Sequence, residues 1–342
     1  MDDIVLGNWC FVAPRKVDFS CYKRNFPDKK AFYLHSVKQK IYGFLKGKYT
    51  MNKNMTLCVI LHYGDENVTW DCVNSIIDYD FLDILIADND PAQKIEIPQC
   101  FINKVHIFRT GGGVGFALAN NMAVRAGRNA AHRSVLLLNN DTVVLSGALQ
   151  KLRNLLDTER VGAVGPCMPF ASRPDQIWAC GGFIRKFRIT IGGLRCIAKP
   201  EPYDVDYLPG AAILCNLSIW DMVGGLPEKY FLAYEEAEFA LRIKKHKFRI
   251  MVHPEARILH KVGMSSDRQP MYIYNGIRNR LRFGGFLWGK LLGFFLAASW
   301  SLISVRHKAH SLALWSRAVT DEIYGVPLNQ ATLQDVRSSF SG

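Results

Sequence analysis

Glu235, Glu236 and Glu238 stand within four residues of one another, directly ahead of Phe239, Leu241 and Ile243. A carboxylate in such a run can serve as a general base toward a hydroxyl group. Tyr230, Phe231 and Tyr234 lie just upstream, where they would partly desolvate it and bring its pKa toward the working range. The same cluster would also suit the positive end of a helix dipole without any chemistry; the aromatic neighbours favour the catalytic alternative. Asn139-Asn140-Asp141 follows the apolar run at 135–138. An Asp at a strand end, flanked by amides, can hold a divalent ion bridging two phosphates. In isolation its commoner use is to cap a helix, here one starting near Ser146. Asp88-Asn89-Asp90 poses the same choice between hydrogen bonding to a base or ribose and an Asx-turn before Pro91. His260 closes the run Ile258-Leu259-His260. A histidine there is more often structural, and it shares an ion with Asp141 only if the fold brings the two together.

The elements that must position these residues alternate between strands and helices. Short apolar runs at 56–63, 82–87, 104–108 and 134–138 read as strands, with helical patterns to about Asp78 and Arg128 between them. Such alternation predicts an α/β fold on a parallel sheet with both faces covered. His62-Tyr63, Asp88-Asn89 and Asn140-Asp141 then collect at the carboxyl ends of strands, where open sheets bind ligands. Gly111-Gly112-Gly113-Val114-Gly115 leads into a helix after the third strand rather than the first, so nicotinamide binding is not expected. Farther on, residues 183–193 read as a hairpin, 207–217 as a strand, 235–245 as a helix, and 248–253 and 257–260 as two strands. Beyond Tyr272 the chain reads as helical to about Tyr324, followed by a polar tail.

Charge is unevenly spread. The chain carries a net +13, and residues 242–308 hold fourteen Lys and Arg against only Glu255 and Asp267, or +12. That segment includes the greasiest stretch of the chain, at 283–305. Lys290 interrupts it and leaves fifteen uninterrupted residues, short of the roughly 20 needed to cross a bilayer. In-plane or peripheral attachment to an anionic membrane surface is therefore expected, with a helix pair packed on the domain as the alternative. The basic leader at 1–53 carries Leu34, Val37, Ile41, Phe44 and Leu45 at helical spacing, suited to packing on the main domain or to a membrane surface. The opening residues are acidic and no early apolar run follows, so no secretory leader is expected. Nine cysteines, an odd number with no Cys-x-x-Cys pair, suit reduced, buried thiols in a cytosolic compartment.

Taken in order, these features resemble family 2 glycosyltransferases. They run from a strand-end aromatic pair through Asp-Asn-Asp, a Gly-Phe-Ala turn before Asn121 and Leu-Asn-Asn-Asp to an acidic helix start and a late His. Two segments, Val205-Asp-Tyr-Leu-Pro-Gly-Ala-Ala and Val223-Gly-Gly-Leu-Pro-Glu-Lys-Tyr-Phe-Leu-Ala-Tyr-Glu-Glu-Ala-Glu, are similar to the branch with bacterial rhamnosyltransferases and galactofuranosyltransferases. The chain carries Glu236 where that branch usually has Asp. The resemblance implies a GT-A fold, a Rossmann-like mixed sheet flanked by helices. Composition and charge, with a likeness that runs from about Leu57 to Arg282, divide the chain into a basic extension at 1–53, a catalytic domain at 54–270 and a basic, apolar helical region at 271–342. The resemblance also implies an inverting transfer from a UDP- or dTDP-sugar; the basic segment around 283–305 favours a lipid-linked saccharide or surface polysaccharide as the acceptor, on the cytoplasmic face of the plasma membrane. His62 and Tyr63 would border the base, Asp88 and Asn89 the base or ribose, and Gly115 and Asn121 would shape the nucleotide pocket. Asp141, helped by Asn140, and His260 would hold Mn²⁺ or Mg²⁺. Glu236, with Glu235 beside it, would be the base, and Arg278-Asn279 matches a recurrent pair. Two other readings are kept: an inactive sugar-nucleotide-binding scaffold, and a nucleic-acid-binding protein, which has charge in its favour but no binding motif, so no nucleic acid partner is expected.

Overall fold

The computed structural model describes residues 54–261, 269–305 and 309–340, so the basic leader, including its helical spacing, lies outside the described residues. The chain opens with β1 (Met55–His62), α1 (Glu66–Asn74), β2 (Leu82–Asp88), β3 (Val105–Arg109), α2 (Phe116–Gly127) and β4 (His132–Asn139). Then come β5 (Thr142–Val144), α3 (Ala148–Leu156), β6 (Val161–Phe170), β7 (Arg173–Ala179) and the hairpin of β8 (Gly182–Arg185) and β9 (Thr190–Gly193). After β10 (Tyr203–Asp204) follow β11 (Ala212–Asn216), α4 (Leu217–Val223), α5 (Glu235–Lys245) and β12 (Arg249–His260). The chain closes with the helices α6 (Gln269–Trp288), α7 (Lys290–Val305), α8 (Ala309–Ile323) and α9 (Gln330–Phe340).

The fold is α/β. One sheet runs in the order β10-β12-β6-β11-β4-β1-β2-β3, with β5 added to β12 and β7 to β6. From β3 to β4 all neighbours are parallel, as the unbroken apolar runs require when both faces are covered. Beyond β4 the sheet turns mixed, because β11 enters antiparallel to both β4 and β6 while β12 runs parallel to β6. The carboxyl ends of β1, β2 and β4 therefore point to one edge, and antiparallel β5–β12 pairing returns His260 to that edge opposite Thr142.

Several sequence expectations change in the structure. Four strands, β5, β6, β7 and β10, were not anticipated: Gly162, Gly165, Pro166 and Pro169 mask the pattern of β6, and β5 and β10 are only three and two residues long. Those glycines answer to close packing, since a Cβ at Gly162 would lie 2.8 Å from Ile243 and one at Gly165 2.6 Å from Leu208. The runs at 248–253 and 257–260 merge into the single β12, whose register shifts between His253 and Arg257 around Pro254. The strand expected at 207–217 contracts to β11, because Asn216 turns to cap α4 by accepting from Ser218 N at 3.0 Å. The expected polar tail is instead α9, which buries Leu333 and Val336. Of the described cysteines, Cys100 and Cys196 are exposed, whereas Cys58, Cys72, Cys167, Cys180 and Cys215 are buried; all are free thiols.

The C-terminal helices join the main apolar core without a break: Tyr274, Phe283, Ala297, Leu314 and Val336 belong to the same cluster as Leu57 and Phe239. Buried Arg278 ties α6 to α8 by donating to Glu322 at 2.8 Å, and Tyr274, one turn earlier on α6, does so by donating to Asp321 at 2.7 Å. Among the described residues, no helix is long and apolar enough to cross a membrane.

Candidate active site

α5 begins where the backbone is least relaxed. Ala233 and Tyr234 both adopt positive φ, 71° and 76°, which costs L-residues free energy unless the surroundings hold them. Asn279 of α6 supplies that hold by donating to the carbonyls of Leu232 at 2.7 Å and Ala233 at 3.0 Å. The sharp turn sends the three glutamates in different directions. Glu238 is buried and spent, accepting from Tyr230 Oη at 2.6 Å and Arg242 at 2.7 Å, with Lys229 at 2.7 Å. Glu235 is enclosed with no partner for its Oε2. Burial, then the neighbouring Glu236, push its pKa well above the usual carboxylate range.

Glu236 is the carboxylate that faces space. It is partly buried, its Oε2 has no hydrogen-bond partner, and it lines a cavity of about 190 Å³ with Trp178, Gly193, Arg195, Tyr207 and Gly210. Burial lifts its pKa to about 7, against smaller lowering contributions from backbone N–H groups and from Glu235. A carboxylate poised there can take a proton at neutral pH. Trp178 and Arg195 escaped the sequence reading: Trp178 sits in a strand that was not anticipated, and Arg195 has no local signal.

Trp178 also connects the cavity to a second cluster, for its ring lies 4.2 Å from that of His260. His260 Nε2 stands 3.2 Å from Asp141 Oδ1. Yet Asp141 Oδ1 completes no hydrogen bond despite the nearby Nε2, so an oxygen and a nitrogen that could both ligate converge without satisfying one another; His260 Nδ1 on the far side of the ring is also without a partner. That pattern fits a divalent cation. Among the described residues no third His, Cys, Asp or Glu joins them, so the remaining ligands would come from phosphate oxygens and water.

The other strand-end residues organise the rim. Asn140 donates to Thr69 Oγ1 at 3.0 Å and to the Tyr63 carbonyl at 3.3 Å, joining the ends of β4 and β1. His62 is enclosed, its Nδ1 2.7 Å from Thr69 Oγ1, and burial lowers its pKa; Tyr63 beside it is exposed. Asp88 is buried and paired with Arg109 at 2.5 Å. Asn89 accepts from Thr110 Oγ1 at 2.8 Å and Val114 N at 3.1 Å, which pins the glycine-rich turn. The Asx-turn belongs to Asp90, which accepts from Ala92 N and reaches across to Gly64 N, both at 2.7 Å. Gly115, at φ 90°, lets Phe116 N bond the Phe231 carbonyl at 2.8 Å; a Cβ there would sit 2.9 Å from that carbonyl oxygen. Asn121 is occupied with the 224–228 loop, donating to the Leu226 carbonyl at 2.7 Å and accepting from Leu226 N at 3.0 Å. The structure thus brings Glu236, Asp141 and His260 around Trp178. It leaves Asn121, Arg278 and Asn279 as props of the backbone rather than lining residues.

A family model described as glycosyltransferase like family 2 matches residues 96–282, more than half of the chain. The chain belongs to this family. As a family 2 glycosyltransferase it is 20% identical over 220 residues to the dTDP-rhamnosyl transferase RfbF of Shigella flexneri, covering 63% of this chain and 72% of that one. It is 21% identical over 248 residues to the low-salt glycan biosynthesis hexosyltransferase Agl10 of Haloferax volcanii, covering 69% and 76%. It is 25% identical over 213 residues to an N-acetylglucosaminyl-diphospho-decaprenol L-rhamnosyltransferase of Mycobacterium tuberculosis, covering 55% and 69%. Among solved structures, GalNAc-T7 with UDP, GalNAc and Mn²⁺ aligns with a TM-score of 0.54 at 12% identity, over 84% of this chain and 58% of that one. S. aureus TarS aligns with a TM-score of 0.50 at 14% identity, over 80% and 81%. Both likenesses concern the fold, which is that of the GT-A glycosyltransferases.

Proposed function

We propose that this glycosyltransferase moves a sugar from a UDP- or dTDP-sugar to a hydroxyl of a lipid-linked saccharide or surface polysaccharide, with inversion at the anomeric carbon. The observation that carries the reading is Glu236, a cavity-lining carboxylate with one unpartnered oxygen and a pKa lifted to about 7. The acceptor oxygen bonds to the anomeric carbon as the bond from that carbon to the diphosphate breaks, and the hydroxyl proton passes to Glu236. One such base suffices, because inversion by single displacement forms no covalent glycosyl-enzyme, as in inverting glycosidases. Glu235, whose pKa burial raises well above the usual carboxylate range, acts on Glu236 as a positioning residue. Asp141 and His260 would hold Mn²⁺ or Mg²⁺, which when bound supplies positive charge beside the leaving diphosphate. Tyr63, Asp88 and Asn89, with the turn at Gly115, would frame the nucleotide.

The names of two relatives support the substrate classes, one a dTDP-rhamnosyl transferase and one acting on a diphospho-decaprenol-linked sugar. A lipid-linked acceptor and the +12 segment at 242–308 together favour a peripheral position on an anionic membrane, at its cytoplasmic face. The test is thermal unfolding with UDP, dTDP and GDP, with and without Mn²⁺, on the wild type and Asp141→Ala. A metal-dependent rise for one nucleotide that disappears in the variant is expected. No rise with any nucleotide would sink the donor assignment.

A further inference from the structure

α7 has two faces of opposite fate. Its inner face is closed: Gly293 meets Gly284 of α6 so tightly that no Cβ fits, Ala297 is buried, and Ser301 Oγ accepts from Trp315 Nε1 at 2.9 Å. Its outer face presents Leu291, Leu292, Phe295, Leu302 and Ile303, with Leu291 78% and Phe295 66% exposed. A contiguous apolar strip of this kind marks an interaction surface. The turn between β8 and β9 extends it. Phe187 is 64% exposed and meets Trp300 edge-on at 6.2 Å, and Trp288 Nε1 donates to the Lys186 carbonyl at 3.1 Å. Arg185, Lys186 and Arg188 on the turn and Lys290 at the start of α7 are exposed around it. Neither residues 183–193 nor 283–305 contain a single Asp or Glu.

We infer that this surface docks on an anionic lipid bilayer, with α7 in the interfacial plane and the Phe187 turn beside it, an inference that rests on the lipid-linked acceptor proposed above. Charge complementarity selects the occupant. An apolar strip with an all-cationic border matches lipid headgroups over acyl chains, whereas a second copy of the chain would set these cations against their own kind. The aromatic residues Phe187, Trp288 and Trp300 suit the headgroup level.

The docking also fixes where the chemistry occurs. Gly193, at the end of β9, lines the Glu236 cavity, and the other end of the hairpin lies in the docking surface. Strands rise about 3.3 Å per residue, so a four-residue arm spans at most roughly 10–13 Å between the docking surface and the cavity. Arg280 of α6 holds the turn at that station by donating to the carbonyls of Arg188 at 2.8 Å and Ile189 at 3.0 Å. A saccharide linked to a membrane lipid then reaches Glu236 without leaving the interface.

The experiment is flotation of the full chain with phosphatidylcholine vesicles, with and without phosphatidylglycerol. The variants are Phe295→Asp/Leu302→Asp and Lys186→Ala/Arg188→Ala. Binding is expected only to the anionic vesicles and should weaken with salt. Each cation lost lowers partitioning about fivefold, so the basic pair should cost on the order of twentyfold, and the apolar pair should cost at least as much. Both variants should keep the wild-type nucleotide-induced thermal shift, since neither touches the donor site. Flotation unchanged by either pair, or absent for the wild type, would overturn the inference. So would self-association that the apolar pair abolishes, which would make a second copy the occupant. A wild type that floats as expected but never responds to nucleotides would uphold the surface and defeat only the donor reading.

Discussion

Replacing Glu236 by Gln should make the protein more stable above neutral pH while disabling it. In the fold the carboxyl titrates near 7, against an ordinary value of 4.5. Between those values the folded chain keeps a proton that the unfolded chain has released. The raised pKa therefore contributes stability that is complete below about pH 4.5 and lost as pH rises through about 7. A shift of that size corresponds to about 3 kcal/mol as a ceiling, and solvent in the cavity reduces the figure to about 1–3 kcal/mol. Gln carries no charge to desolvate, so the variant escapes the loss. At about 2–4 °C per kcal/mol for a chain of this size, its Tm at pH 8 should exceed the wild type's by roughly 2–12 °C, and the two should converge near pH 4.5. Turnover should fall by a factor of about 10² or more with nucleotide binding retained. Wild-type turnover should itself rise with pH through about 7 as Glu236 loses its proton. The assays are thermal unfolding across pH 4.5–9 and initial rates with a hydroxyl acceptor. Parallel pH–stability curves for the two proteins would show an ordinary carboxylate at position 236, and wild-type-like turnover in the variant would remove it from the reaction.

Glu238→Gln tests the division of labour among the three glutamates. It leaves Lys229 and Arg242 without their buried counter-charge and should cost about 2 kcal/mol in chemical denaturation, while the metal-dependent nucleotide shift persists. Gly115→Ala places a Cβ against Phe231 at positive φ and should cost about 2–3 kcal/mol. A calorimetric loss under about 0.5 kcal/mol, within the range of neutral surface substitutions, would mean that the turn adapts.

Much of the site was legible because its chemistry is local. An acidic residue at the end of an apolar run marks the ligand edge of an open sheet, but Asp88 and Asp141 each suit a turn or a helix cap equally well in isolation, and only their order along the chain singles them out. The parallel half of the sheet was equally readable, since strands covered on both faces must be written as unbroken apolar runs. The mixed half was readable only in part, since β11 and β12 leave apolar runs but β6 does not. Gly162 and Gly165 are small because Ile243 and Leu208 crowd against them, a demand made by other segments and invisible in the strand's own text. The final helix escaped for the same reason: Leu333 and Val336 are its only fully buried anchors among the described residues, too few to stand out in a polar segment.

By itself the sequence determined which residue types were available for the chemistry and the order in which they come, from Asp88 through Asp141 to Glu236 and His260. Tertiary structure alone decided which of three neighbouring glutamates faces the cavity, and it is Glu236, the one to which the family resemblance points. Their sequence positions are nearly equivalent, but the positive-φ turn at Ala233 and Tyr234 directs Glu238 to Arg242, buries Glu235 and leaves Glu236 facing the cavity. It also decided that Asp141 meets His260, through the antiparallel pairing of β5 with β12, and that Trp178 stands between that pair and Glu236. The reason is physical: residue type sets what a group can do, whereas desolvation and distance set what it does, and both arise from segments far apart in the chain.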